Sequence, residues 1–302
     1  MNDSEQKKYI ATPSRTNEII KRYKLTMKKS LGQNFIIDPN ILTKMIEAGE
    51  IDKDTCVIEV GPGIGALTER LAEAAKKVVT FEVDTRLKPI LKRELADHSN
   101  IEVIFQDILQ ANLQEIFETH FEPEDRIVVA ANLPYYITTP IIMRFVEEQL
   151  PIDTFVMMMQ KEVAQRMTAQ PSTKAYGSLT IAIDYYTHAE IAFHVPKTVF
   201  IPQPNVDSAI LKLQRRVEPK VDVVNEKFFF QLIRFSFQQR RKTLWNNLTS
   251  HFGKNEDVKE ELTRGLQAAG IDPGRRAETL SIEEFATLAD ELTELSQRET
   301  RS

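Results

Sequence analysis

The chain has 302 residues, 42% of them apolar, enough to bury a full core, and its length favours one large domain beside a smaller one. The single cysteine, Cys56, excludes an internal disulfide, and no apolar run approaches the roughly 20 residues that span a bilayer. With a polar, basic start that lacks a secretory apolar stretch and a formal net charge of −5, the expectation is a cytoplasmic protein.

That charge is unevenly spread. Residues 1–30 hold eight Lys/Arg against three acids, whereas residues 253–302 hold seven basic and twelve acidic side chains. An acidic whole with a basic segment can bind RNA, because counterion release depends on the contacting surface. The same basic start also reads as a mobile solubilising tail.

Along the chain, short runs rich in Val, Ile and Phe recur at 57–61, 78–83, 101–106, 127–131 and 155–159, with helix-length segments between them. Such alternation marks a mostly parallel sheet covered on both faces. The helix over 64–76 is the clearest, with Leu67, Leu71 and Ala74 on an inner stripe and Glu69, Arg70 and Glu73 outside. From 177, GSLTIAIDYYT, AEIAFHV and DSAILKLQR read as strands joined by hairpins, so the sheet ends in an antiparallel edge. Beyond Glu218 and Pro219, residues 225–302 follow helical spacing broken at Gly253, Gly270, Pro273 and Gly274. The expected architecture is an α/β, Rossmann-like sheet with an antiparallel last strand and a small all-α C-terminal domain. Its divisions are a basic N-terminal extension (1–30), a cofactor-binding domain (31–217) and a helical, RNA-contacting domain (218–302).

The segment VIEVGPGIGALT at 57–68 places a buried strand, a glycine turn and a helix start in succession. Gly61, Gly63 and Gly65 let the backbone turn tightly and approach a ligand, and the following helix presents free N–H groups. Pro62 removes one donor and no Lys-Ser/Thr pair follows, so the turn suits a nucleoside without phosphates better than a pyrophosphate. Glu82, at the end of the second strand, is spaced to accept both ribose hydroxyls, and Asp107, at the end of the third, to accept from an adenine amine. Taken singly, these features also suit ordinary helix–strand packing with solvated strand ends.

Asn132-Leu133-Pro134-Tyr135, followed by Tyr136, ends the fourth strand. An adenine amine is a poor nucleophile because its lone pair is delocalised into the ring, so a catalyst must favour pyramidal nitrogen with hydrogen-bond acceptors. The Asn132 side-chain carbonyl and the Leu133 backbone carbonyl can accept the two amine hydrogens, Pro134 restrains the turn, and Tyr135 can stack on the base. Phe200 opens FIPQPNVDS at 200–208, where two prolines stiffen a loop that can clamp the other face of an extruded base, or simply connect to the last strand.

Together NLPYY at 132–136, GPGIGALT at 61–68, LGQNF at 31–35 and FIPQPNVDSA at 200–209 resemble the KsgA/RsmA family of ribosomal RNA adenine dimethyltransferases, as do QRRKTLWNNL at 239–248 and RAETLS at 276–281. The resemblance implies a class I methyltransferase domain with S-adenosylmethionine as cofactor, held by Asn34, Ile36, Gly61, Gly63, Glu82, Asp107 and Asn132. It implies that Asn132, Leu133, Tyr135 and Phe200 hold the target adenine. The implied reaction dimethylates two adjacent adenosines in the 3′-terminal hairpin loop of small-subunit ribosomal RNA, late in subunit biogenesis, with the small subunit as partner.

Lys28, Lys29, Arg234, Arg240, Arg241 and Lys242 are the candidate RNA contacts. The neighbouring Phe235, Phe237 and Trp245 read better as the core of a small domain. Met157, Met158 and Met159 read as core of the fifth strand, and the scattered histidines predict no metal site. A monomer is expected. The nearest rival is an Erm-type methyltransferase of large-subunit RNA; a non-catalytic assembly factor that keeps the pocket as a relic is a rival of another class.

Overall fold

A computed structural model describes residues 9–26, 33–133, 137–148 and 150–292. Where it describes the basic start, that start is not a tail. Helix α1 (Pro13–Arg22) is capped by Thr12, whose hydroxyl accepts from Arg15 N, and it buries Thr16 and Ile19. Ile10 N donates to Glu69 Oε2 at 2.9 Å, and Arg15 and Arg22 both reach the buried Glu94. Glu69, expected on a solvent face, is therefore buried. Two of the eight basic side chains of the segment, Arg15 and Arg22, are thus ion-paired within the fold, while Lys28 and Lys29 lie outside the described residues.

Next come β1 (Phe35–Ile36) and α2 (Pro39–Ala48), then the alternating core: β2 (Thr55–Val60), α3 (Ala66–Ala74), β3 (Lys77–Phe81), α4 (Lys88–Glu94), β4 (Ile101–Ile104), α5 (Leu113–His120), β5 (Arg126–Asn132), α6 (Thr138–Glu147), β6 (Thr154–Gln160) and α7 (Lys161–Met167). The chain continues through α8 (Ser178–Tyr186), β7 (Thr187–Val195), β8 (Phe200–Ile201) and β9 (Ser208–Arg215) to four helices, α9 (Glu226–Ser236), α10 (Leu244–Phe252), α11 (Glu256–Ala268) and α12 (Ile282–Glu291).

The seven-stranded sheet has the order β4-β3-β2-β5-β6-β9-β7. Strands β2 to β6 pair in parallel and β9 runs antiparallel to β6, as the sequence pattern predicts. Every residue of β2 is buried, Thr55 and Glu59 included, so the strand shows no alternation of buried and exposed positions: helices cover both faces. Successive strands step outward from β2 in one direction and from β5 in the other, so the order reverses between these two. Open α/β sheets bind ligands at that switch point, outside the strand C-termini.

The 177–187 run contradicts its reading as a strand. Its residues form α8, initiated where Gly177 N donates to Thr180 Oγ1 at 3.1 Å. Strand propensity differences span about 1 kcal/mol. Burying Ile181 and Tyr185 in the helical cluster is worth roughly 1.5–3 kcal/mol for a large side chain, so tertiary packing wins. The compact units consequently differ from a single cut after 217. One unit comprises residues 1–164 and 190–215, and the other residues 165–189 and 216–302.

The second unit packs α8 with α9, α11 and α12 around Phe228, Phe229, Leu262 and Phe285. Its helices stop where the sequence predicts: α10 at Gly253 (φ 116°) and α11 just before Gly270 (φ 68°). Among the described residues, no helix is long and apolar enough to cross a membrane.

Candidate active site

A cleft of about 1160 Å³, open mouth included, lies in the first unit at the C-terminal ends of β2 and β5. Its floor is the glycine turn. Gly61, Gly63 and Gly65 all have positive φ (74°, 57° and 93°), a backbone that L side chains rarely adopt. A Cβ on Gly63 would stand 3.2 Å from Phe35 Cε1, so Gly63 is needed for close approach as well as conformation. Gly65 N-caps α3, whose free N–H groups face the turn.

Glu82 follows β3, one residue later than the strand end expected for it. Its carboxylate is buried, with Oε2 accepting from Gly63 N at 3.2 Å and Oε1 from Asp84 N at 2.8 Å. Burial pushes this carboxyl above the usual range, against the pull of those backbone donors. The turn and the acid are thus one unit. Asp107 lies three residues past the end of β4; its Oδ1 accepts from Leu109 N at 2.9 Å, and Arg144 of α6 donates to the Ala111 carbonyl at 2.6 Å to hold that loop. Both carboxylates line the cleft with apolar walls from Leu42, Phe81 and Ile108.

Asn132 is the last residue of β5, paired with Met158. Its Nδ2 donates to the Asn34 carbonyl at 3.4 Å, which leaves Oδ1 as the acceptor edge of the amide. Leu133 is buried beside it, 4% exposed, and lines the same cleft. Tyr135 lies outside the described residues. Phe200 reaches the cleft by a route the sequence does not announce: β1 and β8 form a two-stranded antiparallel sheet with Ile36 opposite Phe200 and Phe35 opposite Ile201. Phe200 is 4% exposed, so it is a packed wall of the cleft rather than a projecting clamp.

The cleft therefore gathers Asn34, Ile36, Gly61, Gly63, Glu82, Asp107, Asn132, Leu133 and Phe200. Sequence reasoning missed Gln33, Val83, Gln106 and Met158, which also line it. Gln33 was legible only as part of LGQNF, and Met158, read as core, is both core and cleft wall.

The candidate RNA-contacting side chains of the second unit, Arg234, Arg240, Arg241 and Lys242, are all exposed. Arg240 differs, since its Nη2 donates to the carbonyls of Lys174 and Tyr176 at 2.8 and 2.9 Å. It fastens the loop before α8 within its own unit.

Residues 24–294 match the model of the ribosomal RNA adenine dimethylase family. The chain belongs to that family. Among curated relatives, the Ribosomal RNA small subunit methyltransferase A of Anoxybacillus flavithermus is 55% identical over 285 residues, covering 94% of this chain and 97% of that one. Among solved structures, a dimethyladenosine transferase from Plasmodium falciparum aligns with TM-score 0.70 at 27% identity, over 86% of this chain and 98% of its own. The 23S rRNA methyltransferase ErmE aligns with TM-score 0.63 at 28% identity, over 86% and 99% respectively. The dimethylase family thus owns both the sheet and the helical region that follows it, and the chain is a methyltransferase.

Proposed function

We propose that this chain uses S-adenosylmethionine to methylate the exocyclic amines of two adjacent adenosines in the 3′-terminal hairpin loop of small-subunit ribosomal RNA, late in subunit biogenesis. The observation that carries the reading is the meeting of Asn132 with the glycine turn and Glu82 in one cleft at the switch point of the sheet.

The donor and acceptor set fits the cofactor. Glu82 would take the ribose hydroxyls, because an acid already held by two backbone N–H groups is fixed in place with acceptor capacity remaining. Asp107 would take the adenine amine, and the positive-φ glycines leave room for close backbone approach. Once bound, the cofactor supplies a methyl group activated by its sulfonium. The protein's task is then to orient the nucleophile and accept hydrogen bonds from its N–H groups, the proton passing to water as the carbon–nitrogen bond forms. Asn132 Oδ1 and the Leu133 carbonyl accept the two amine hydrogens, favouring the pyramidal nitrogen whose lone pair can attack, and the Asn34 carbonyl fixes the amide in that orientation. A neutral acceptor suffices because the proton leaves only as the carbon–nitrogen bond forms.

Small-subunit RNA is favoured over the Erm-type substrate by the 55% identity to a small-subunit enzyme against 28% to ErmE. Arg234, Arg241 and Lys242, with Lys28 and Lys29 near the LGQNF segment, would supply phosphate contacts. Incubation with labelled S-adenosylmethionine and unmethylated small subunits should place label on two adjacent adenosines near the 3′ end. Label confined to large subunits would transfer the assignment to the Erm-type activity, and no label on either would leave a binding factor.

A further inference from the structure

Two residues beyond Glu82 lies a second acid that does not line the cleft. The Asp84 side chain is 1% exposed, and its oxygens accept from Arg86 Nε at 2.8 Å, Arg86 Nη2 at 2.6 Å and Gln33 Nε2 at 3.1 Å. Arg86 in turn donates through Nη1 to the Thr26 carbonyl at 3.2 Å. Asp84 N donates to Glu82 Oε1. The Asp84 carboxylate therefore joins the chain on both sides of residues 27–32, directly at Gln33 and through Arg86 at Thr26, while the Asp84 backbone N–H holds Glu82. Asn34, next after Gln33, presents its carbonyl to the Asn132 amide.

We propose that the Asp84 side chain is a positioning residue for cofactor binding, which fixes Gln33 and the start of the cleft-lining segment against the end of β3, where the Asp84 N–H already holds the Glu82 carboxylate. The inference rests on reading the cleft as the S-adenosylmethionine site. A simpler role is available, since Asp84 also accepts from Arg86 N at 3.4 Å and caps the three-residue turn at 85–87. That role does not account for the burial. A cap works in solvent, whereas removing a carboxylate from water costs several kcal/mol unless it is paired, and the pairing here reaches across to Gln33 and, through Arg86, to Thr26. The arginine holds the Asp84 carboxyl at about 2, so the clamp stays ionised at every pH of interest.

The test uses the full chain as wild type, Asp84→Asn, Gln33→Ala and the double variant. Equilibrium dialysis with S-adenosylmethionine, thermal unfolding without it and steady-state methylation are measured on each. Losing a charge-assisted hydrogen bond should weaken cofactor affinity roughly tenfold or more in Asp84→Asn, raising the cofactor KM while kcat at saturation stays within about threefold. Gln33→Ala should weaken affinity on its own and add little to Asp84→Asn, because both break the same link. Lowered unfolding temperature with unchanged dissociation constants would reduce Asp84 to a turn cap and overturn the proposal. If Asp84→Asn does not fold, Gln33→Ala decides alone, an unchanged dissociation constant again overturning it. A wild type that fails to bind the cofactor sinks the reading of the cleft and this inference with it, whereas variants that bind as the wild type does sink the inference alone.

Discussion

The Asn132 side-chain amide donates to the backbone carbonyl of Asn34 at 3.4 Å, although 98 residues separate the two. The bond turns a strand-end asparagine into an oriented acceptor. Asn132→Ala should lower kcat for methylation by at least about a hundredfold, the size of effect seen when one preorganised group is removed from a transition state. RNA binding, measured by filter retention, should be unchanged. Loss of RNA binding in parallel with activity would refute the assignment of Asn132 to the chemistry.

Gly63→Ala tests the floor of the cleft. At φ 57° an alanine costs about 1–2 kcal/mol in backbone strain, and its Cβ would press on Phe35 at 3.2 Å. Phe35 cannot retreat freely, because its backbone pairs with Ile201. Urea denaturation should register that destabilisation, and cofactor binding should weaken; a variant as stable and as tight as the wild type contradicts the cradle.

Glu59 supplies a pH signature. It lies in the middle of the buried sheet, where burial raises its carboxyl from 4.5 to about 7 although Thr68 Oγ1 donates to Oε2 at 2.7 Å. Burial outweighs the hydrogen bonds from Thr68 and from its register partner Thr80, both of which favour the charged form, so the neutral, protonated carboxyl is the form the sheet interior favours. The folded state then holds a proton that the unfolded chain releases between pH 4.5 and about 7. Stability therefore falls as pH rises through that window, and the penalty is complete above it. Glu59→Gln should flatten the dependence and be more stable than the wild type at pH 8, by at most about 3 kcal/mol for a shift of this size. Denaturant titrations of both proteins from pH 5 to pH 8 check this; parallel curves would show that Glu59 is ionised throughout.

Within the basic residues of the helical unit, Arg240 and its neighbours should separate. Arg240→Ala removes two bonds to carbonyls and should cost about 1–3 kcal/mol of stability. Arg241→Ala and Lys242→Ala, at exposed positions, should leave stability within about 0.5 kcal/mol. Each should instead reduce the slope of log affinity for RNA against log salt by about one. Thermal unfolding and RNA binding at a series of salt concentrations distinguish the classes, and unchanged salt slopes would remove these two residues from the interface.

Helix α1 is a further case in which packing decides. Ile19 is 0% exposed, and Ile19→Ala should cost about 2–5 kcal/mol, as for other fully buried positions. A change below about 0.5 kcal/mol, typical of exposed surface, would mean that the basic start is dispensable to the fold.

The parallel sheet, the glycine turn and the strand-end positions of Asn132 and, within a residue, Glu82 were legible in the amino-acid order. Each is a local device: continuous apolar runs reveal strands covered on both faces, and a turn of Gly-Pro-Gly-Ile-Gly is demanded by positive φ whatever surrounds it. Local signals failed where distant contacts outweighed propensity. The 178–186 run is rich in strand formers yet is a helix because Ile181 and Tyr185 find an aromatic core, and Glu69 is buried where Ile10, in the segment before α1, brings a backbone N–H to it. Nor does spacing reveal that Phe35 and Ile201 are partners, that Arg240 is occupied within its own unit, or that Asp84 joins both flanks of residues 27–32. Sequence by itself determined which groups are candidates for methyl transfer and that Asn132 and, within a residue, Glu82 stand at strand ends. Only the tertiary structure decided which of them face one another, because pairing across a hundred residues depends on the burial and hydrogen-bond satisfaction of the whole fold, which no local pattern encodes.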